Sequence, residues 1–210
     1  MPRARILIAS FVVGLIVAGG SAFASVSVKE CEGCHGSPGL LRNPEVPFLY
    51  GQDRRYLIHQ MTAFQKGFAG TDQGFQRLIR KHPVMSREAP KMELKEIPVI
   101  AEWFSRRLCR NAADIDPAPA KPVAQPARAA FCMTCHGRGG RSTASYVPKL
   151  AGQRAAYLRA QLYAFRDSKR PDQAEPGRVR SHRMMSRQGS YLTDADIDAL
   201  AAFFSGQSCR

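Results

Sequence analysis

The apolar positions of this chain follow a helical rhythm that is written twice. Between Gln153 and Arg166, Tyr157, Leu158, Gln161, Leu162 and Phe165 recur at the three- and four-residue spacing of one helix face. Gln52 to Lys66 repeats the pattern with Tyr56, Gln60 and Phe64. A further amphipathic stretch closes the chain. Thr193 stands as its N-cap with Asp196 three residues on, and Ala199, Leu200, Phe203 and Phe204 form its apolar face. The first half has Glu93 at the position of Thr193 and Pro98 at that of Asp198. Proline inside a helix removes a hydrogen bond, so the earlier helix is expected to start late or kink.

One apolar run breaks this rhythm. Ile6 to Ala18 follows Arg3 and Arg5 and precedes Ala22-Phe23-Ala24, the three-part pattern of a secretory signal. The run is short for a transmembrane helix, which needs roughly 20 residues. Cleavage after Ala24 would leave a mature protein beginning at Ser25 in the periplasm. Retention of the segment as an anchor is the alternative.

The repetition extends well beyond the helices. Pro47-Phe48-Leu49-Tyr50-Gly51-Gln52 matches Pro148-Lys149-Leu150-Ala151-Gly152-Gln153 at an offset of 101. Past a shortened loop the offset becomes 100, and His82, Met85, Ile97, Phe104 and Cys109 match His182, Met185, Ile197, Phe204 and Cys209. The chain therefore divides into a signal segment (1–24), a first module (25–110), a linker (111–127) and a second module (128–210). Pro117, Pro119, Pro122 and Pro126 make the linker an extended, semi-rigid spacer. Each module is all-α and roughly 80 residues long, which is small for a core of side chains alone.

Chemistry enters with the cysteines. Cys31-Glu32-Gly33-Cys34-His35 and Cys132-Met133-Thr134-Cys135-His136 each place two thiols and a histidine in the attachment pattern of c-type haem. The thiols of Cys31 and Cys34, and of Cys132 and Cys135, would form thioethers to the two vinyl groups of one porphyrin. His35 and His136 would each hold an iron. A lone Cys-X-X-Cys would be ambiguous between zinc, thiol chemistry and a disulfide; the added histidine and the duplication point to two covalent haems. A porphyrin would also supply the apolar centre that so short a module lacks. The haem-free chain is accordingly expected to fold poorly.

The second axial ligand decides between an open, catalytic iron and a closed one. Met85 and Met185 stand at equivalent positions, and a thioether holds low-spin iron and raises its potential. An isolated methionine is more often core filling, but this one is duplicated. Met184 has Val84 as its counterpart, which cannot ligate. His82 and His182 are also duplicated, and bis-histidine ligation is the main alternative. His59 has no counterpart and reads as a surface or packing residue, and Met61 and Met92 read as core.

The charge balance narrows the partners. Of 31 basic residues, 29 remain without Arg3 and Arg5, against 17 acidic ones. Export makes nucleic acid improbable, leaving an anionic membrane surface or an acidic redox partner steered by long-range attraction. Arg166, Lys169, Arg170, Arg178, Arg180, Arg183 and Arg187 lie within one segment, either as a docking surface or as a solvated loop. Cys109 and Cys209 are left over. An oxidising compartment favours pairing, and both a disulfide between the modules and two separate thiols fit the sequence.

Taken together, the chain resembles the di-haem cytochromes c of the cytochrome c4 family, two class I cytochrome c domains in tandem. The resemblance rests on both Cys-X-X-Cys-His motifs, the Pro-X-Leu-X-Gly-Gln motif at Pro47 and Pro148, Met184-Met185-Ser186, and the stretch from Leu192 to Phe204. It implies axial pairs His35 with Met85 and His136 with Met185. It also implies that the Pro47 and Pro148 carbonyls accept from the ligating histidines and fix their orientation. The implied function is a periplasmic electron carrier, not an enzyme. Its donor would be a quinol-oxidising complex or dehydrogenase and its acceptor a terminal oxidase. The competing class is the haem subunit of a periplasmic dehydrogenase, for example of sulfur compounds, with catalysis at an open haem or on a partner. Two zinc modules form a third class.

Overall fold

The computed structural model describes residues 23–36, 43–69, 78–115, 123–169, 172 and 177–210. The expected signal segment up to Ala22 and the linker prolines Pro117, Pro119 and Pro122 lie outside the described residues. In the first module α1 (Phe23–His35) ends on the first Cys-X-X-Cys-His, and α2 (Arg54–Lys66) and α4 (Ile97–Ser105) pack against it. In the second, α5 (Ala127–His136) ends on the other motif and packs with α6 (Ala155–Asp167) and α8 (Asp194–Ser205). Shorter helices, α3 (Met85–Glu88) and α7 (Arg183–Gly189), carry the duplicated methionines.

The two cores are copies of one another. Val28, Leu57, Ile100, Ala101 and Phe104 are buried together in the first, and their counterparts Ala129, Leu158, Leu200, Ala201 and Phe204 in the second. Helix ends follow local chemistry. The Asp53 carboxylate accepts from the Tyr56 N–H at 2.7 Å to cap α2, and Gly67, at φ +77°, ends it. The Thr193 capping box closes at both bonds, Asp196 N to Thr193 Oγ1 at 3.1 Å and Thr193 N to Asp196 Oδ2 at 2.9 Å. Asp194, which opens α8, corresponds to Leu94, but α4 begins only at Ile97 with Pro98 in its first turn. Proline is tolerated there because that N–H has no partner within the helix.

The sequence pattern did not foresee a small antiparallel sheet. Strand β1 (Phe68–Ala69) pairs with β2 (Leu78–Lys81), which pairs with β3 (Val179–His182) of the other module. In the second pairing Arg80 sits opposite its own counterpart Arg180. The same two-fold relation governs the rest of the junction. Gln52 donates to the Lys149 carbonyl (3.0 Å) and accepts from the Lys149 N–H (2.9 Å). Gln153 does the same with Phe48, at 3.0 and 2.9 Å. A disulfide joins Cys109 to Cys209, with Cα atoms 6.1 Å apart.

These contacts give two expected outcomes. Gln153→Ala leaves the buried Phe48 N–H and C=O unpaired and should cost about 2–4 kcal/mol in denaturant unfolding, with the disulfide intact. Cys109→Ala with Cys209→Ala removes a cross-link between residues separated by 100 positions and should cost about 2–4 kcal/mol in the same assay.

Candidate haem centres

Each candidate proximal histidine ends a helix and turns into its module. His35 and His136 are 9% and 6% exposed. His35 Nδ1 lies 3.0 Å from the Pro47 carbonyl and His136 Nδ1 lies 2.9 Å from that of Pro148. A carbonyl only accepts, so Nδ1 carries the proton and Nε2 keeps its lone pair for a metal. Burial pulls both imidazoles below their ordinary pKa, with Arg80 pushing His35 the same way and Arg180 pushing His136, against the two carbonyl bonds. Both are thus held neutral, the form that ligates iron.

The four motif cysteines are free thiols placed as two equivalent pairs, Cys31 and Cys132 partly buried, Cys34 and Cys135 exposed. Burial, reinforced by Glu30, pushes Cys31 up to about 11, and burial raises Cys132 as well. These are not the lowered values of reactive or zinc-ready thiolates. Each pair lies one helical turn apart beside a neutral, oriented histidine. That donor set fits the two thioethers and one axial bond of haem c.

The candidate distal loops are also built alike. Met85 and Met185 are half-buried near the start of α3 and within α7, whereas Met184 is 50% exposed. The N–H of Met85 donates to His82 Nδ1, and that of Met185 to His182 Nδ1, both at 3.3 Å. The Ser86 and Ser186 hydroxyls accept from His82 N and His182 N at 3.0 and 3.1 Å. The duplicated histidines therefore act as acceptors that cap the methionine turn. With Nδ1 accepting, a neutral ring carries its proton on Nε2 and offers no lone pair there. His59 is buried against Tyr146 of the second module, ring centroids 5.9 Å apart. Met61 and Met92 pack against the first core.

Sequence reasoning missed what the Pro-X-Leu-X-Gly-Gln segment does beyond its proline. The peptide unit between Pro47 and Phe48 accepts from His35 through its carbonyl and donates to Gln153 of the other module through its N–H. The unit between Pro148 and Lys149 likewise serves His136 and Gln52. Duplication of Gln52 and Gln153 was the available signal. The basic segment also resolved differently from a single docking face. Arg166 pairs with Asp167 and Asp194, Arg178 with Glu45 of the first module, and Arg180 is buried at the junction. Lys169, Arg183 and Arg187 are exposed, and Arg170 lies outside the described residues.

Two helical modules, each ending one helix on a Cys-X-X-Cys-His beside a carbonyl-oriented histidine, define tandem c-type cytochrome domains. The cytochrome c family pattern matches residues 120–207, from the end of the linker through most of the second module. Cytochrome c-554(548) of Halomonas halodenitrificans is 34% identical over 36% of this chain and 83% of its own. Cytochrome c4 of Stutzerimonas stutzeri is 29% identical over 93% of each chain. The thiosulfate dehydrogenase electron acceptor of Thiomonas intermedia (strain K12) is 26% identical over 99% of this chain and 93% of its own. Among solved structures, reduced recombinant cytochrome c4 from Pseudomonas stutzeri superposes with a TM-score of 0.60, at 26% identity over 88% of this chain and 98% of that one. A thiosulfate dehydrogenase from Marichromatium purpuratum gives 0.57 at 27% identity, over 85% of this chain but 36% of that one. The chain belongs to the cytochrome c family, and along most of its length it is similar to the di-haem cytochromes c4. It is a di-haem electron-transfer protein with covalently bound haem c in each module.

The capping geometry makes a testable distinction. His182→Ala should cost about 1 kcal/mol of stability, the worth of a lost helix cap. The low-spin spectrum of the loaded protein should survive it. A shift to high spin would show His182 to be an iron ligand instead.

Proposed function

We propose that this protein is a periplasmic electron carrier whose irons are both closed, His35 with Met85 in the first module and His136 with Met185 in the second. Its thioether anchors would be Cys31 with Cys34 and Cys132 with Cys135. The bound haems supply one-electron exchange between Fe(II) and Fe(III). The chain's work is to hold each imidazole neutral and oriented and to keep each methionine loop in place. It also sets how much water reaches either site. One observation carries the reading: both methionine turns are pinned by the same His–Ser pair, leaving the methionine as the available soft donor in each copy. Among the described residues no helix is long and apolar enough to cross a membrane.

The direction of flow we infer is from a quinol-oxidising complex or a dehydrogenase towards a terminal oxidase. A second reading is favoured by one comparison, the Thiomonas electron acceptor, which aligns along nearly the whole chain. In it the donor is a thiosulfate-oxidising enzyme and this protein is its acceptor or fused partner. The exposed Arg183, Met184 and Arg187 of α7, together with the exposed Lys169, offer basic and partly apolar surface beside the second methionine loop.

Two measurements test this. Met185→Ala should abolish the near-infrared sulfur-to-iron band of one haem and let added imidazole bind there, while the unaltered protein binds none. If the unaltered protein already contains a high-spin haem, the closed-carrier reading fails. Reduction by an acidic partner should slow steeply as ionic strength rises from about 0.01 to 0.15 M, over which the screening length falls from about 30 to 8 Å. A flat response would remove the basic face from the account.

A further inference from the structure

The junction between the modules buries two like charges. Arg80 and Arg180, facing each other across β2 and β3, are 7% and 6% exposed. Arg80 donates to Gln60 of its own module and to Tyr157 and Gln161 of the other, the latter two at 3.3 Å. Arg180 donates to Gln161 of its own module and to Tyr56 (2.9 Å) and Gln60 (3.3 Å) of the other. Each guanidinium also lies over a phenylalanine ring of its own module, Arg80 over Phe64 at 4.2 Å and Arg180 over Phe165 at 4.4 Å.

Every partner here is neutral. Among the described residues, neither guanidinium is hydrogen-bonded or ion-paired to a carboxylate, and Arg180 Nε has no partner at all. Guanidinium does not give up its proton in proteins. Like charges placed opposite one another in a sheet repel, and a buried ion left without a counter-ion is strongly destabilising. A chain that invests two matched arginines in such a place has a use for the positive field. Burial pushes both junction tyrosines up; Arg80 and Arg180 outweigh it at Tyr157, which is lowered, while burial still prevails at Tyr56. Each arginine also acts on the candidate proximal histidine of its own module, Arg80 on His35 and Arg180 on His136.

Haem c brings to each module the acidic groups that these two arginines lack, two propionate carboxylates on the porphyrin rim. We propose that Arg80 and Arg180 form one shared cationic seat for propionates of both haems, so that each arginine helps set the potential of the haem in either module. This rests on the two-haem reading above. Both arginines are positioning and tuning residues. A positive charge near an iron favours the less positive state, Fe(II), so the seat raises both potentials. Because each guanidinium bonds to side chains of both modules, its removal is felt on both sides.

The test is a redox titration of the haem-loaded full chain at pH 8, where propionates are ionised, with the two haems followed separately by NMR. Covalent haem is first counted in the unaltered protein; fewer than two per chain would defeat the di-haem reading rather than this one. Arg80→Gln and Arg180→Gln should each lower both midpoint potentials. The expected size is about tenfold in the Fe(III)/Fe(II) ratio at fixed poise, or about 59 mV for a one-electron couple. That is the scale of a unit charge about 10 Å away at an effective dielectric near 20. Arg80→Lys, which keeps the charge and tolerates a less complete set of bonds, should restore most of the shift. With two low-spin haems retained, a shift confined to the haem of the altered module overturns the shared seat. Potentials unchanged in both overturn the seat altogether. Should a glutamine variant fail to assemble, the lysine variant decides: potentials near those of the unaltered protein support the seat, and potentials lowered as by charge loss overturn it.

Discussion

Two peptide units carry the arrangement on which everything else in this protein depends. The carbonyl of the Pro47–Phe48 unit holds His35, and the N–H of the same planar unit is held by Gln153 of the opposite module. The Pro148–Lys149 unit does this for His136 and Gln52. Neither candidate ligand is therefore oriented by its own module alone. Hydrogen bonds in such a chain polarise one another, so the basicity of each imidazole is tied to an amide that belongs to the other copy. The flanking glycines follow from this geometry. Gly51 adopts φ +72° where the disulfide arm passes, and a Cβ there would come 2.8 Å from Cys109 Cβ. Gly152, at φ +70°, occupies the matching turn.

The junction is isologous within one chain, since residues meet their own counterparts or exchange partners in pairs. Such a surface is the ordinary product of two-fold symmetry between subunits; here duplication and covalent linkage have made it internal. Its character differs from that of the two cores. The cores are aliphatic and aromatic, while the junction is built from amides, tyrosine hydroxyls, guanidiniums and a disulfide. Polar contacts contribute little net stability each, but they fix relative position sharply because a slipped register leaves buried groups unpaired. For a protein whose two sites are read through their mutual geometry, that is the useful property. The disulfide then limits how far the modules can part when the polar contacts open.

Much of this was legible in the sequence because it is local. The helices bearing Tyr56 and Tyr157, the capping box at Thr193, the late start at Pro98 and the two Cys-X-X-Cys-His ends all follow from spacing within a few residues. What could not be read is what depends on how the copies meet. Strands β2 and β3 have four residues each, too few for a period, and among the described residues they pair only with one another or with the two-residue β1. The relation of Cys109 to Cys209 likewise turns on the placement of two modules, so the sequence left it open. On sequence grounds Arg180 was part of a basic segment that read equally as a docking surface or a solvated loop. Its match with Arg80 at the same offset as His82 and His182 was the one sign that it was neither. His82 and His182 were rivals of the methionines on sequence grounds, and the donor–acceptor geometry at Met85 N and Met185 N is what supports the methionines as the proposed ligands.

The symmetry of the junction also locates where the two sites can differ. Proximal geometry is nearly the same on both sides, from the histidine through the peptide unit to the crossed glutamine. Away from the axis the copies diverge. Helix α3 has four residues where α7 has seven, and α4 opens on a proline where α8 opens on a full capping box. Asp53 caps α2, but its counterpart Arg154 is buried and reaches the Asn43 carbonyl of the first module at 2.7 Å. Val84 stands beside one methionine and Met184 beside the other. Any difference in potential between the modules must then arise mainly on the methionine side and at the periphery. There the first loop runs from α3 into a 3-10 turn over Ala89–Lys91, and the second is one continuous α-helix. A shared proximal frame with separately varied distal loops lets one duplicated fold hold two irons at different potentials without disturbing their relative placement.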